Sequence, residues 1–298
     1  MRANNLGDWL AWLEQQFPES DIDLGLTRVG EVAERMSLTH PKARVITVAG
    51  TNGKGSCAAA LETLLLDVGL SVGVFTSPHF AHYCERIRVN GQQASEETVC
   101  TAFTRIDEAR LSPGSEITLT YFEFGALAAL DVFARSELDV LVLEVGLGGR
   151  LDAVNIIDAD IAVVTSIAVD HEAWLGSDRE TIGREKAGIM RADRVAICAD
   201  DQAPLSIGVV AGEVGARLLS VGVDWSFEVN AKEGNDSHGN WSMRARTPTG
   251  DEVLLTELPV PSLPLPSVAA AIQSLITLGL EVPPERLRAL IPAMNLTG

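Results

Sequence analysis

The chain has 298 residues, 46% of them hydrophobic, and carries 41 Asp and Glu against 23 Lys and Arg, a formal net charge of −18. This length and apolar content exclude an intrinsically disordered chain and allow one large domain or two ordinary ones. The acidic balance disfavours non-specific binding to nucleic acid or to an anionic membrane. The four cysteines, Cys57, Cys84, Cys100 and Cys198, form no CxxC pair, which argues against a disulfide framework or a structural zinc. The N-terminal MRANNLGDWL places Asp8 ahead of any long apolar run, so it does not read as a signal peptide, and no apolar stretch reaches membrane-spanning length. A reducing cytoplasm is the expected compartment.

Residues 8–17 place Trp9, Trp12 and Leu13 on one stripe of a first helix ended by Pro18, and a second helix opens near Thr27 with Val29, Val32, Ala33 and Met36 inward. Asp23 and Arg28 flank Leu24-Gly25-Leu26 and read equally well as solvated charges. Val45, Ile46, Thr47 and Val48 are β-branched and predict a short buried strand. It runs into Gly50, Thr51, Asn52, Gly53, Lys54, Gly55 and Ser56, with helical spacing from Cys57 to Leu66. Strand, glycine turn, helix is the context in which backbone N–H groups and a helix N-terminus face phosphate. The string is not a strict GxxxxGK[ST], because Gly55 follows the lysine and the hydroxyl comes one residue late. A tight turn that simply needed glycine is the plain alternative.

A second strand, 72–75, ends in Thr76, Ser77, Pro78 and His79, small polar groups at an edge where open α/β sheets seat ligands. Residues 85–91 read as a short strand and turn with Arg86 and Arg88 on one face. Residues 95–110 are helical, with Ser95 and Thr98 competing for the cap and Ser-Pro-Gly at 112–114 as the stop. From Tyr121 to Ser136 the chain is apolar and helical; its phenylalanines suit a core, and Glu123 suits a helix N-terminus without any function. A strand at 140–145 contains Glu144, a carboxylate among Val and Leu that must be paired or metal-bound if it is buried. The alternative is an edge strand showing it to water. Gly146, Gly148, Gly149, Arg150 and Asp152 follow. A strand at 161–164 leads through Thr165 and Ser166 to Asp170-His171-Glu172, and a helix-like turn at 180–190 returns Lys186 to the same edge. Strand 195–198, a helix at 207–220, an antiparallel region at 221–257 with a polar loop at 232–240, an Ala-rich helix at 267–278 and a last helix from Pro284 complete the chain. The strand-then-helix order predicts an α/β fold with a mostly parallel central sheet flanked by helices and a small antiparallel subregion.

The strings GTNGKGS (50–56), TSPHF (76–80), ERIRVNG (85–91), LEVGLGGRLDAVN (143–155), TSIAVDH (165–171) and IGREKAGI (182–189) occur in this order and spacing. Together they resemble folylpolyglutamate synthase/dihydrofolate synthase, of the Mur ligase superfamily, over essentially the whole chain. That resemblance implies a P-loop ATPase domain over 1–296 and ATP-dependent joining of L-glutamate to dihydropteroate or to a folate glutamate tail. It implies that residues 50–56 bind ATP phosphates, with Lys54 at the transferred phosphoryl and its ammonium facing solvent in the empty site. Two Mg²⁺ are implied: Ser77 and Glu144 on one, Glu144 and His171 on the second, with Lys186 carbamylated to help hold it. Lys54, Lys186 and His171 are the implied catalytic groups. Asp152 is the implied contact to the pterin, and Arg150 and Phe122 are assigned to the same substrate.

Two departures from the family stand out. Ser267 occupies a position where the family usually has Asn, a side chain that helps seat the adenine. Members also continue past the NLTG region into a C-terminal domain, so the expectation is an N-terminal ATPase domain alone. A monomer with small-molecule partners, and with neither nucleic acid nor membrane, is implied. A truncated ATP- and pterin-binding domain with little turnover, or a P-loop binding module, is the alternative.

Overall fold

A computed structural model describes residues 5–18, 22–111, 116–230, 239–281 and 283–296. The helix stop read at 112–114 and most of the polar loop at 232–240 lie outside the described residues, as do Thr297 and Gly298.

The chain runs α1 (Leu6–Gln16), α2 (Thr27–Arg35), β1 (Arg44–Ala49), α3 (Lys54–Asp67), β2 (Val72–Phe75), β3 (Ile87–Val89), β4 (Gln92–Gln93), α4 (Glu96–Arg110), α5 (Tyr121–Ala134), β5 (Val140–Glu144), β6 (Ile161–Val164), α6 (Glu172–Leu175), α7 (Arg179–Ala187), β7 (Val195–Cys198), α8 (Leu205–Val214), β8 (Arg217–Ser220), β9 (Ser226–Asn230), β10 (Asn240–Arg246), β11 (Glu252–Pro259), α9 (Leu265–Thr277) and α10 (Pro284–Leu290). Eight strands form one sheet in the order β4-β3-β2-β5-β1-β6-β7-β8, parallel from β2 to β8, with β3 and β4 added antiparallel at one edge. β9, β10 and β11 make a separate antiparallel sheet. Among the described residues, no helix is long and apolar enough to cross a membrane.

Both faces of the large sheet are covered, which is why its central strands read as unbroken β-branched runs rather than as alternations. Along β5, Leu141 and Leu143 enter the core shared with α1, α2, α4 and α5, while Val140 and Val142 face α3 and α9. α3 and α9 pack closely because Ala58, Ala60, Ala269, Ala270 and Ala271 are all fully buried and leave room for two backbones. Period two puts Glu144 on the α3 side, at the last position of β5.

Three sequence readings change. The helix expected across 207–220 ends at Val214, where Gly215 takes a left-handed conformation (φ 80°), and Arg217–Ser220 adds an eighth strand parallel to β7. Short strands after a left-handed glycine carry too little periodicity to separate from a helix tail. α3 starts at Lys54 rather than Cys57, because Gly53 (φ 85°) turns the chain directly into it. Arg86 and Arg88 do not share a face. Residues 83–86 form a 3-10 turn, so Arg86 packs against Tyr83 and Tyr121, whereas Arg88 on β3 reaches Glu62 of α3.

Candidate active site

The parallel strands deliver their polar ends to one edge. After β1, the chain is tied to the end of β6: Thr51 N donates to Ser166 O (2.7 Å), Asn52 N to Ser166 Oγ (3.0 Å), and Thr165 Oγ1 to Asn52 O (2.7 Å). The Thr51 hydroxyl closes the tie by donating to Ala168 O (3.1 Å). Gly50, Thr51 and Asn52 therefore anchor the loop, and the backbone that these ties leave free is Gly53–Ser56. No side chain caps α3 at Gly53, so the first-turn amides of Lys54, Gly55 and Ser56 lie open, with the positive end of the helix dipole behind them. Gly53 is required twice, by its positive φ and because a Cβ there would lie 2.5 Å from Ser267 Oγ. Ser267 is buried and donates to Gly53 O (3.1 Å), so its hydroxyl is engaged with the loop backbone.

Lys54 is half-buried and its Nζ donates to Gly50 O (3.1 Å) and Thr51 O (3.4 Å), folding back over the loop rather than standing in solvent. Opposite lies Glu144, 4% exposed. Its Oε2 accepts from Ser77 N (3.0 Å), and among the described residues Oε1 has no hydrogen-bond partner. Burial pushes this carboxyl up to about 7, against the pull of the Ser77 amide and of the Lys54 and Arg88 charges. It borders a cavity of about 210 Å³ shared with Gly53, Gly55, Ser56, Ser77 and Arg88. Gly55 lies against it, and a Cβ there would make only ordinary contact with both Glu144 oxygens at 3.7 Å. Arg88, paired with Glu62 at 2.9 Å in the interior, is a member of this site that the sequence reading missed. The signal, a charged residue inside a strand pattern, is present, but its partner lies 26 positions earlier on α3.

On the other side of Ser77 and Lys54 opens a larger cavity of about 370 Å³. Its walls include the Ile22–Gly25 loop, Tyr121 and Phe122, Asp152 and His171. Asp152 is buried and accepts from Leu147 N (2.9 Å) and Val154 N (3.1 Å), which shapes the glycine loop after β5 around it. Burial raises its carboxyl to about 6 in spite of these amides. Phe122 packs on Gly146, where a Cβ would meet its ring at 2.6 Å. Arg150 is not brought into this cavity: its exposed guanidinium donates to Glu185 Oε1 (2.9 and 3.0 Å). His171 is exposed, in a left-handed conformation (φ 50°) ahead of α6, with Asp170 at 3.6 Å. Lys186 is 3% exposed, and burial together with the Lys54 charge lowers its ammonium to about 8. Among the described residues no three His, Cys, Asp or Glu side chains gather as a metal cage; the fold joins Ser77 to Glu144 directly.

The loop after β5 also presses on α7. A Cβ at Gly149 would lie 2.7 Å from Glu185 O and 3.0 Å from Lys186 O, both backbone atoms that cannot swing away. Gly149→Ala is therefore expected to destabilise the protein by about 2 kcal/mol, read as a lower urea midpoint at unchanged slope. A wild-type midpoint would show that the loop and α7 are not held in contact.

No protein-family model matches the chain. Dihydrofolate synthase/folylpolyglutamate synthase of Escherichia coli (strain K12) is 46% identical over 99% of this chain and 66% of that protein. The Haemophilus influenzae protein of the same description is 40% identical over 98% of this chain and 63% of its own length. The chain thus spans a little under two thirds of these relatives. Escherichia coli FolC in complex with DHPP and ADP superposes with a TM-score of 0.88 at 46% identity, covering 99% of this chain and 67% of that one. A bifunctional folylpolyglutamate synthase/dihydrofolate synthase with Mn, AMPPNP and L-glutamate bound gives 0.87 at 44% identity, covering 100% and 68%. With the glycine loop, Glu144 and Asp152 all at one sheet edge, the chain belongs to the dihydrofolate synthase/folylpolyglutamate synthase family.

Proposed function

We propose that the chain takes part in ATP-dependent ligation of L-glutamate to the carboxylate of dihydropteroate, and to folate glutamate tails, through an acyl phosphate. One observation carries this reading: the open α3 N-terminus, Lys54 and the buried Glu144 meet between two cavities, one of them large, aromatic-walled and floored by the buried Asp152. The related proteins with ADP, AMPPNP, DHPP and L-glutamate bound support it.

A carboxylate is a poor acyl donor, so its oxygen first attacks the γ-phosphorus of ATP and ADP leaves. The glutamate amine then attacks the acyl carbon and phosphate leaves. The chain's part is to cradle phosphate oxygens on the amides of residues 54–56 and to neutralise transferred charge with Lys54. Asp152 is suited to the polar edge of a pterin and Phe122 to its face.

A hard cation fits Glu144. A buried carboxylate with one unpartnered oxygen, in a cavity also lined by Ser77 and Ser56, offers oxygen donors of the kind Mg²⁺ takes. When bound, Mg²⁺ would supply charge neutralisation between the phosphates. Lys186 has the lowered ammonium that carbamylation needs: its neutral amine would bond to CO₂ and release a proton, and the resulting carboxylate-like group could share a second cation with His171. Arg150 keeps a substrate role only if ligand binding breaks its pair with Glu185. Action as a monomer without a nucleic-acid partner rests on the −18 charge and on the small-molecule character of the site, and a reducing cytoplasm on four cysteines that form no CxxC pair.

The test is phosphate release by the purified chain with ATP and Mg²⁺. Release that requires both dihydropteroate and L-glutamate is expected; release indifferent to the pterin would overturn the ligase reading. A second reading, nucleotide and pterin binding with little turnover, draws on the same open α3 amides and the same two cavities. It predicts calorimetric binding of both ligands without glutamate-dependent release.

A further inference from the structure

We propose that Arg28 is a positioning residue for the larger cavity, a clip that holds the Ile22–Leu26 loop in place as its outer wall. The inference rests on the ligase reading for the ligand it names. Residues 22–25 belong to no helix or strand, yet all four line the cavity together with Thr120–Glu123. Among the described residues, the only hydrogen bonds that reach them come from Arg28. Its Nη1 donates to the Asp23 carboxylate, and its Nη2 donates to Asp23 O (3.0 Å). The same Nη2 reaches Glu123 Oε1 (3.2 Å) across the cavity rim.

Glu123 is a fixed post for this clip. It is 4% exposed, and its other oxygen accepts from Thr120 N (2.7 Å) in the capping box of α5. Burial raises the Glu123 carboxyl, and Arg28 opposes that shift. The order of connection is then α5 N-terminus, Glu123, Arg28, Asp23, loop. Only a planar guanidinium can serve an acid and a carbonyl on one side and a second acid on the other; a lysine ammonium keeps the charge but not the fork. The wall that faces Tyr121 and Phe122 is thus set by one side chain, and the fit of a flat heterocycle between them depends on it.

The experiment measures equilibrium binding of 7,8-dihydropteroate, and separately of Mg-ADP, to the full chain and to Arg28→Lys and Arg28→Gln, with the thermal midpoint of each. The dihydropteroate Kd is expected to rise about tenfold in Arg28→Gln and by a smaller factor in Arg28→Lys, the scale of one charge-assisted hydrogen bond lost at a cavity rim. The ADP Kd is expected to stay at the wild-type value, while the midpoint of Arg28→Gln falls because the buried Glu123 loses its ion pair. Unchanged dihydropteroate affinity in both variants overturns the clip, as does equal weakening of both ligands, which is what a merely structural role would give. Should Arg28→Gln fail to fold, the split between the two ligands in Arg28→Lys decides. Failure of the wild-type chain itself to bind dihydropteroate while binding ADP overturns the ligase reading, and the clip with it.

Discussion

Glu144→Gln is expected to make the ligand-free protein more stable at pH 8, by about 3 kcal/mol, while removing Mg²⁺-dependent nucleotide affinity. The first half follows from the carboxyl's pKa of about 7 in the fold, raised chiefly by burial from an ordinary value near 4.5. Holding the proton up to about 7 rather than near 4.5 corresponds to about 3 kcal/mol. The sign is set by linkage: between those two values the native state holds more protons than the unfolded chain, so wild-type stability falls as pH rises through the window. A neutral Gln does not suffer that loss. At pH 5.5 the advantage should shrink to about 1 kcal/mol, because there the unfolded carboxyl has given up its proton over only the first unit of the window. Urea unfolding in EDTA at the two pH values measures this, and a difference that does not change with pH would refute the raised pKa. The second half follows from the unpartnered Oε1, which an amide oxygen replaces poorly as a ligand for a hard cation. Stability and function would then move in opposite directions at one residue, as happens where a buried charge is kept for what it binds.

Lys54→Ala is expected to weaken ATP binding about a hundredfold, some 2–3 kcal/mol, the scale of one charge-assisted hydrogen bond in a partly buried site. The ammonium already lies over the loop, held by two carbonyl oxygens, so little reorganisation is needed when phosphate arrives. Losing those bonds should cost the fold only about 0.5–1 kcal/mol, since water can replace them. A second readout is independent of ATP. The Lys54 charge contributes to the depression of Lys186, so its removal should raise the Lys186 pKa, measurable by NMR titration or by the rate of amine modification. Wild-type ATP affinity in the variant would take Lys54 away from the phosphates.

The loop at 50–56, the carboxylate at 144 and the acidic turn at 152 are legible in the amino-acid sequence because each is a local oddity. Three glycines follow a β-branched strand; one charge interrupts an apolar run; a glycine-rich turn follows directly. Strand–loop–helix order then implies parallel crossovers and gathers those oddities at one edge. The features that are not legible depend on partners distant along the chain. Arg28 and Asp23 read no better than evenly as anything but solvated charges, because Glu123, the other end of their network, lies 95 positions from Arg28. Arg86 and Arg88 go to opposite sides because a 3-10 turn, rather than a strand, precedes Ile87. Lys54 reads as a solvent-facing ammonium, but its carbonyl acceptors are placed by the tie between residues 51–52 and 165–168. Local covalent preference thus determined the elements and the chemical groups they carry. Which of those groups are buried, paired or left with an open oxygen was decided only by packing, because desolvation and hydrogen bonding depend on neighbours that chain order does not name.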